Sequence, residues 1–468
     1  MAGIGFELRK IFHEESSFAG VKGSLAASFA TVGPMVMCII LSFMMQNILK
    51  SYGITYQDLQ LYNSINIYSF FLSFVVTNGI CLLGARKLSD NIYQRKLKRT
   101  FSEFLSINCL YVPIVGVIMV CLFWGTPLQL GYQFILFFMT VSLGIILIEI
   151  TFLSAIKNYR YIVLSFLCTI IGILLISIGC MKFFNIAPLL TALCCSGVGY
   201  TLLMLTLMIK LYRVFGDQGI ATFKFKNIIN FIKMYWQLPL IGLFLGLGVY
   251  SHHLIMWLSS HANIIADTFR VCNFYDIPGF YAVLTIVPAA VLFTVKAETI
   301  IYPKYKIFYD YIRDGGNIKD IKAAKLELIE TMQQEFYFMV QVQFIVTFIA
   351  IVLGLKFLSS MGLTTLSTSI FTILCLAYLC YITASQSMIL LLYFDARKSC
   401  LKLATFFVLS TIACSIITLI LGRSFYGYGF FISSFLTAIL GFMTLNRYLK
   451  NIEVHTFASQ PVYAKVMN

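Results

Sequence analysis

Twelve predominantly apolar stretches recur along this chain, and at about 20 residues each is long enough to cross the hydrocarbon core of a bilayer. Of all residues, 60% are hydrophobic and 11% charged, against about 45–50% and about 25% in soluble proteins. A water-facing fold cannot bury this excess, so the sequence predicts an all-α integral membrane protein with twelve transmembrane helices. The stretches lie at about 24–48, 62–85, 104–124, 132–156, 161–181, 186–209, 236–258, 277–296, 336–356, 366–394, 401–422 and 427–446.

Basic residues divide the connections between these stretches into two alternating sets. Of the 34 Lys and Arg residues, 29 lie on the termini and on every second loop, and 5 lie on the other loops. Because cytoplasmic loops carry such an excess, the asymmetry predicts a multi-pass protein of the plasma or inner membrane with both termini in the cytoplasm. The net charge of +15 then reflects topology, and no nucleic-acid partner is expected.

The order of the loops indicates an internal repeat. In each half, the loop after the second helix is the longest and most basic, at 86–103 and 296–335, and the loop after the fourth helix is short and basic. This predicts two six-helix bundles related as a parallel repeat, as in some transporters. The predicted divisions are an N-terminal interfacial helix at 1–20, lobes at 21–209 and 236–446, a cytoplasmic linker at 210–235 and a tail at 447–468.

Two segments outside the apolar stretches are candidate docking surfaces for a partner. Residues 3–15 carry one apolar stripe at helical spacing, which predicts a helix lying on the membrane surface, although a short solvated helix fits as well. Loop 296–335 reads as an extension of the eighth helix, a Gly-Gly break and a charged helical segment from about residue 318, and a simple connector is the alternative. The candidate docking residues are Arg9, Lys10, Lys319, Lys322 and Lys325.

Glu149 is the acidic residue that lies well inside a predicted crossing. Burying a carboxyl group in lipid is costly, so it should face the interior of the bundle. It is interpreted as a group that meets a cationic substrate or as a proton-coupling site, and pairing with Lys157 is the structural alternative. Glu298 and Asp395 lie where two helices reach the cytoplasmic side and would line an entrance to a substrate path.

Helix-breaking residues interrupt several of the predicted crossings. Proline removes a backbone hydrogen bond, and in a membrane the freed group needs a neighbouring helix or a cavity. The candidate hinge and cavity positions are Gly33, Pro34, Pro113, Pro239 and Pro288. Gly242 and Gly246 form a GxxxG pattern, for which close helix packing is the favoured interpretation.

No pattern in the sequence predicts catalysis, a cofactor or a bound metal. The 13 cysteines lie mostly in apolar stretches and lack zinc-type spacing, and no phosphate-binding loop is present. The longest stretch outside the membrane, about 40 residues, is too short for an independent enzyme domain. The outer loop after the seventh helix holds His252, His253, His261, Asp267 and Asp276, whose spacing predicts a hydrated polar rim and not a metal site.

Four sequence strings together resemble the PelG family of exopolysaccharide transporters. They are MAGIGFELRK at 1–10, FYDIP at 274–278, KAETIIYPKYKIFY at 296–309 and YFDARKS at 393–399. The resemblance implies the two-lobed fold of the multidrug/oligosaccharidyl-lipid/polysaccharide exporter superfamily and export of a hexosamine-rich, partly cationic polysaccharide for a biofilm matrix. It also implies two partners, a cytoplasmic glycosyltransferase and a cyclic-di-GMP-responsive membrane subunit. It assigns no substrate-binding residues.

Other functions fit the same residues. A lipid-linked oligosaccharide flippase and a cation-coupled multidrug exporter would share this architecture. A non-transporting scaffold subunit of a polysaccharide synthase complex would also be a multi-pass helical protein. A membrane-embedded transferase would require clustered His, Asp and Arg residues at one membrane face, and only the loop at 252–276 approaches such a cluster.

Overall fold

The computed structural model describes residues 38–97, 100–154, 159–183, 187–216, 225–360 and 362–458. Within these ranges, eleven helices are long and apolar enough to cross a membrane, and a shorter apolar helix, Cys38–Ser51, precedes them. This short helix is the second half of the first predicted crossing, whose residues before 38 lie outside the described ranges. The predicted all-helical membrane fold is therefore confirmed, and the described helices correspond to all twelve predicted crossings.

The first half contains six apolar helices among its described residues. They are α1 (Cys38–Ser51), α2 (Tyr56–Tyr93), α3 (Thr100–Phe123), α4 (Leu130–Ser154), α5 (Tyr159–Phe183) and α6 (Pro188–Phe215). The segment predicted as a linker contains a further short helix, α7 (Phe225–Met234).

The second half contains one small hairpin among its helices. Its elements are α8 (Gln237–Leu258), β1 (Asn263–Ile265), β2 (Phe269–Val271), α9 (Asn273–Val283), α10 (Val287–Lys296), α11 (Tyr302–Arg313), α12 (Ile318–Ser360), α13 (Thr365–Tyr393), α14 (Arg397–Leu421) and α15 (Tyr428–Lys450). A 3-10 turn at Leu284–Ile286 and a π turn at Ala297–Ile301 join α9, α10 and α11 into one interrupted crossing.

Many side-chain hydroxyls inside the helices are hydrogen-bonded within the helix itself. Thr77 donates to the carbonyl of Ser73 at 2.6 Å, and Thr437 donates to that of Ser433 at 2.7 Å. A hydroxyl bonded one turn back leaves no polar group exposed to lipid. The sequence can therefore place Ser and Thr in apolar helices without breaking them.

Equivalent helices make equivalent contacts in the two halves. In the first lobe, α2 packs on α4, α4 packs on α6, and α5 packs on α6. In the second lobe, α9 packs on α13, α13 packs on α15, and α14 packs on α15. Each of these pairs joins the same ordinal crossings of its half, which is the arrangement expected of a parallel repeat. The long contact of α2 with α8 joins the two lobes.

The predicted loop 296–335 is helical almost throughout. Helix α11 continues the eighth crossing to Arg313, and α12 runs without interruption from Ile318 into the ninth crossing. A separate apolar core holds this extension against α13 and α15, and it includes Phe308, Leu328 and Leu449. The segment is therefore a rigid extension of the second lobe.

The predicted breakers occupy different kinds of position. The region around Pro288 interrupts the eighth crossing, because a 3-10 turn precedes α10. Pro239 lies in the first turn of α8, where a missing amide costs little. Pro113 lies inside α3, and the helix continues through it to Phe123. Gly33 and Pro34 lie outside the described residues.

Candidate functional site

The two lobes meet along α2 and α8, which approach closely because glycines face each other. A Cβ atom on Gly79 would lie 2.4 Å from the carbonyl oxygen of Pro239, and one on Gly242 would lie 2.6 Å from the Cα of Gly79. One on Gly246 would lie 3.4 Å from the Cα of Val75. Larger residues at these positions would force the helices apart, so the GxxxG pattern packs one lobe against the other.

Aromatic rings continue this contact along both helices towards the hairpin. Tyr68 stacks on Trp257 with ring centroids 5.1 Å apart, and Phe71 meets Tyr250 edge-on at 5.1 Å. Phe74 also meets the ring of Tyr250, at 5.7 Å. We call Tyr68, Phe71, Phe74, Tyr250 and Trp257 the aromatic seam. Stacked and edge-on ring pairs stabilise the contact between the two helices. The face of each ring carries a partial negative charge.

Charged residues join the lobes at the end of the bundle where the basic loops lie, here called the basic end. Arg86 of α2 contacts Asp395, in the turn between α13 and α14, at 3.5 Å. Arg397 contacts the same carboxylate at 3.1 Å. Both guanidinium groups also lie over the ring of Tyr235, 5.2 and 4.8 Å from its centroid. We call Arg86, Tyr235, Asp395 and Arg397 the latch.

Helix α7 is attached to the first lobe beside the latch. The ammonium group of Lys87 lies 4.7 Å from the ring centroid of Phe231 and 3.2 Å from the carboxylate of Glu103. The segment predicted as a plain linker therefore contacts α2 at Lys87 and supplies Tyr235 to the latch directly after α7 ends.

The hairpin closes the seam at the opposite end. The hydroxyl of Tyr68 donates to the carbonyl of Arg270 at 2.9 Å and accepts from the amide of the same residue at 3.1 Å. Phe269 is fully buried against the rings of Tyr68 and Phe123. The second lobe thus contacts the first at both ends of α2.

The expectation of a hydrated polar rim near the hairpin is wrong for two of its three histidines. His252 and His253 belong to α8 and are buried, at 1% and 9% exposure. His253 hydrogen-bonds Asp276 at 2.7 Å, and the same carboxylate accepts from the indole of Trp257 at 2.8 Å. Hydropathy alone did not reveal that these polar groups satisfy each other.

Glu149 lies inside the first lobe. It is fully buried, and neither carboxyl oxygen has a hydrogen-bond partner among the described residues. Ser142, two turns earlier on the same face of α4, hydrogen-bonds Thr201 of α6 at 3.1 Å. Phe152, about one turn after Glu149, packs against Gly84 of α2, so this part of α4 contacts helices of its own lobe on both sides. Lys157, the alternative partner, lies outside the described residues.

The two predicted entrance residues lie in the second lobe. Glu298 is part of the π turn between α10 and α11. Asp395 has a left-handed backbone, with φ of 58°, and belongs to the latch. Glu149 therefore belongs to the first lobe and Glu298 and Asp395 belong to the second, and a path shared by the three stays a prediction.

The candidate docking residues differ in their surroundings. Lys319 and Lys322 are exposed on the first turns of α12. Lys325 instead pairs with Glu453 at 3.0 Å, which fixes α12 to the segment after α15. Arg9 and Lys10 lie outside the described residues.

The sequence pattern indicated Asp395 of the latch, but not Arg86, Tyr235 or Arg397, and it indicated no residue of the aromatic seam. Arg86 is the first charged residue after a predicted crossing, and Tyr235 directly precedes another. That boundary position is the signal that could have indicated them, although many boundary residues share it.

Known proteins resemble this chain in sequence family and in fold. The family model PelG, described as "Putative exopolysaccharide Exporter (EPS-E)", matches residues 1–457. No curated protein matches the chain. An outward-facing multidrug resistance MATE family transporter of the MOP superfamily superposes with a TM-score of 0.62 at 11% identity, over 93% of this chain and 97% of the other.

Two further solved structures show the same likeness. An inward-facing MATE family transporter of the MOP superfamily gives a TM-score of 0.56 at 10% identity, over 97% of this chain and 99% of the other. A MOP superfamily transporter from Pyrococcus furiosus gives 0.59 at 11% identity, over 94% and 100%. At such identities, the likeness establishes a shared fold alone.

Proposed function

The chain belongs to the PelG family, and from this membership we propose that it exports a hexosamine-rich exopolysaccharide across the inner membrane. The family and the fold make it a membrane exporter and not an enzyme. The proposed partners are a cytoplasmic glycosyltransferase, which makes the polymer, and a cyclic-di-GMP-responsive membrane subunit. In this proposal the basic end and both termini face the cytoplasm.

The aromatic seam is the observation that supports a sugar polymer as the substrate. It lies between the lobes, where a path opens if the lobes separate, and its rings come from both sides. An amino sugar that carries an ammonium group is attracted to the face of Tyr or Trp, by about 0.5–2 kcal/mol per contact. Such weak, repeated contacts hold a polymer and still release it, as transport requires.

The latch supplies the proposed cytoplasmic gate. Arg86 and Asp395 belong to different lobes, so their separation must accompany any opening of the seam at the basic end. Arg397 contacts both Asp395 and the ring of Tyr235 and can keep them paired when Arg86 leaves. We expect the growing polymer to enter where this gate opens.

Glu149 fits a coupling role better than a path role. Residues before and after it on α4 pack against α6 and α2 within the first lobe, and it is not one of the residues of the seam. A buried carboxyl group without a partner is costly and is retained in membranes chiefly for function. We therefore propose that Glu149 binds a proton or another cation during the transport cycle.

Polymer translocation into sealed vesicles tests the function. Vesicles containing the purified chain and the cytoplasmic synthase should accumulate polymer in the lumen, whereas vesicles with the synthase alone should not. Polymer made but left outside would support the scaffold alternative. Transport of a lipid-linked oligosaccharide or of small cations, with no polymer transport, would support the flippase or multidrug alternatives.

Ring-removing variants test the seam in the same assay. Phe74→Leu and Tyr250→Leu keep apolar bulk but remove the aromatic faces, so export should fall at normal membrane abundance. Phe348→Leu is the matched control, because Phe348 is 62% exposed on α12 and lies away from the seam. Equal export in all three variants would exclude the seam as the path.

Glu149→Gln tests the coupling role, since it keeps the shape of the side chain and removes the charge. Export should fall at normal abundance, and it should lose its response to an imposed proton or cation gradient. Reduced abundance with an intact gradient response would indicate a structural role. Normal export would exclude a required carboxyl group at this position.

A further inference from the structure

A small cavity lies in the second lobe where α8, α9, α14 and α15 converge near the hairpin end. Its lining includes His252, Tyr275, Ser415, Tyr426 and Phe430. Its volume of about 10 Å³ is close to the ~10–15 Å³ that a single water molecule needs. A sugar or a lipid chain is far too large for it.

Two buried polar atoms at this cavity have no hydrogen-bond partner among the described residues. They are Nε2 of His252 and Oγ of Ser415, on side chains that are 1% and 7% exposed. They come from different helices and line the same space. Buried polar groups are almost always hydrogen-bonded, so two of them at one water-sized cavity indicate a shared partner.

The ring of His252 is held so that Nε2 remains available to the cavity. Its Nδ1 lies 2.8 Å from the hydroxyl of Tyr275, and its plane stacks on Phe430 with centroids 4.1 Å apart. His253 takes the nearby carboxylate of Asp276, which leaves none to pair with His252 in the described structure. Nε2 therefore needs a neutral partner that can donate or accept.

Close helix packing keeps the cavity small beside Ser415. A Cβ atom on Gly429 of α15 would lie 2.6 Å from the Cα of Ser415. Helix α15 therefore approaches α14 closely at this level. Among the described residues, no group of three or more His, Cys, Asp or Glu side chains could hold a metal ion, so the donor set favours water.

We propose that this cavity binds one water molecule, which is hydrogen-bonded to Nε2 of His252 and to Oγ of Ser415. The water joins α8 to α14 through a chain of hydrogen bonds that continues to Tyr275 of α9. Helix α8 also carries Tyr250 and Trp257. These hydrogen bonds therefore connect the second-lobe side of the aromatic seam to α9 and α14 of the same lobe.

Ser415→Ala tests this site by the sign of its effect on stability. With a bridging water, the variant removes one of its partners, so the full-length protein in lipid nanodiscs should unfold about 2- to 10-fold faster on heating. Without a water, the same change removes an unpaired buried hydroxyl, and unfolding should become slower. An unchanged or slower rate would overturn the proposal.

Ser434→Ala is the matched control. Ser434 is fully buried on α15, its hydroxyl also lacks a partner among the described residues, and it does not line the cavity. Its variant should unfold no faster than the wild type. If Ser415→Ala fails to fold, a high-resolution map of the wild type decides: density within about 2.7–3.2 Å of both polar atoms supports the site, and none refutes it.

Discussion

Replacing Asp395 with asparagine should weaken the latch without disturbing the turn that carries it. Asp395 has a φ of 58°, a left-handed conformation that asparagine tolerates better than most residues. The substitution removes the charge that faces Arg86 of the other lobe. We therefore expect Asp395→Asn to favour opening of the seam at the basic end.

The size of the effect follows from how exposed the pair is. The side chains of Arg86 and Asp395 are 34% and 40% exposed and 3.5 Å apart. Ion pairs of this exposure contribute about 0.2–1 kcal/mol, since water screens them. The contact of Arg86 with the ring of Tyr235 remains in the variant. The open fraction should therefore rise between about 1.4- and 5-fold.

A cysteine inside the seam measures that fraction. Asn78→Cys places a thiol beside Gly242 and Gly246, on a background from which the native cysteines have been removed. Its rate of labelling by a membrane-permeant maleimide is proportional to the open fraction when opening is fast. We expect Asp395→Asn to raise this rate by the factor given above, with unchanged abundance of the protein.

The matched control is Asp90→Asn. Asp90 also contacts Arg86, at 3.3 Å, but both residues belong to α2, so their pair does not cross the seam. Its loss should leave the labelling rate unchanged. Equal labelling rates in Asp395→Asn and the wild type would refute the role of the latch in holding the seam closed. Equal increases in Asp395→Asn and Asp90→Asn would refute it as well. In a double-mutant cycle, Arg86→Gln and Asp395→Asn should show a coupling of about 0.2–1 kcal/mol for the shared ion pair, and Arg86→Gln should have an additional effect because it also removes the contact with Tyr235.

Three further predictions concern topology, docking and packing. A cysteine at position 317 should resist an impermeant reagent in intact cells, and strong labelling would overturn the cytoplasmic assignment of the basic end. Lys319→Glu with Lys322→Glu should lower polymer export at normal abundance if the synthase docks on α12, and unchanged export would make α12 a plain extension. Gly242→Leu should destabilise the protein by about 1–3 kcal/mol or more, because its side chain meets backbone of α2. Gly172→Leu is the control, because a Cβ atom at Gly172 meets open space. The stability of this variant, measured by thermal unfolding beside that of Gly242→Leu, should be close to that of the wild type.

The position of the helices could be predicted from the sequence because transfer into lipid depends on each segment separately. An apolar run of sufficient length is stable across a bilayer whatever its neighbours are. The eighth crossing shows the limit of this reasoning. Hydropathy located it at 277–296, but its start at Asn273 and its continuation to Arg313 depend on packing against α12 and α13.

The candidate site was predicted only in part, since it consists of contacts between distant segments. Asp395 was identified from its place at the end of a crossing, but nothing local indicated Arg86 as its partner. Glu149 was expected on the path because it is deep in the membrane, and this role stays a prediction, because depth does not say which helix a side chain faces. The burial of His252 and His253 likewise depends on residues of α9 and α15.

The sequence by itself determined that this chain is a helical membrane protein, how many crossings it makes and which connections are basic. These properties follow from transfer free energies and charge counts, which add residue by residue. Only the tertiary structure decided which faces meet. The glycines of α2 and α8, the aromatic seam and the latch act through atoms brought within a few ångströms, and such pairings depend on the packing of the whole bundle.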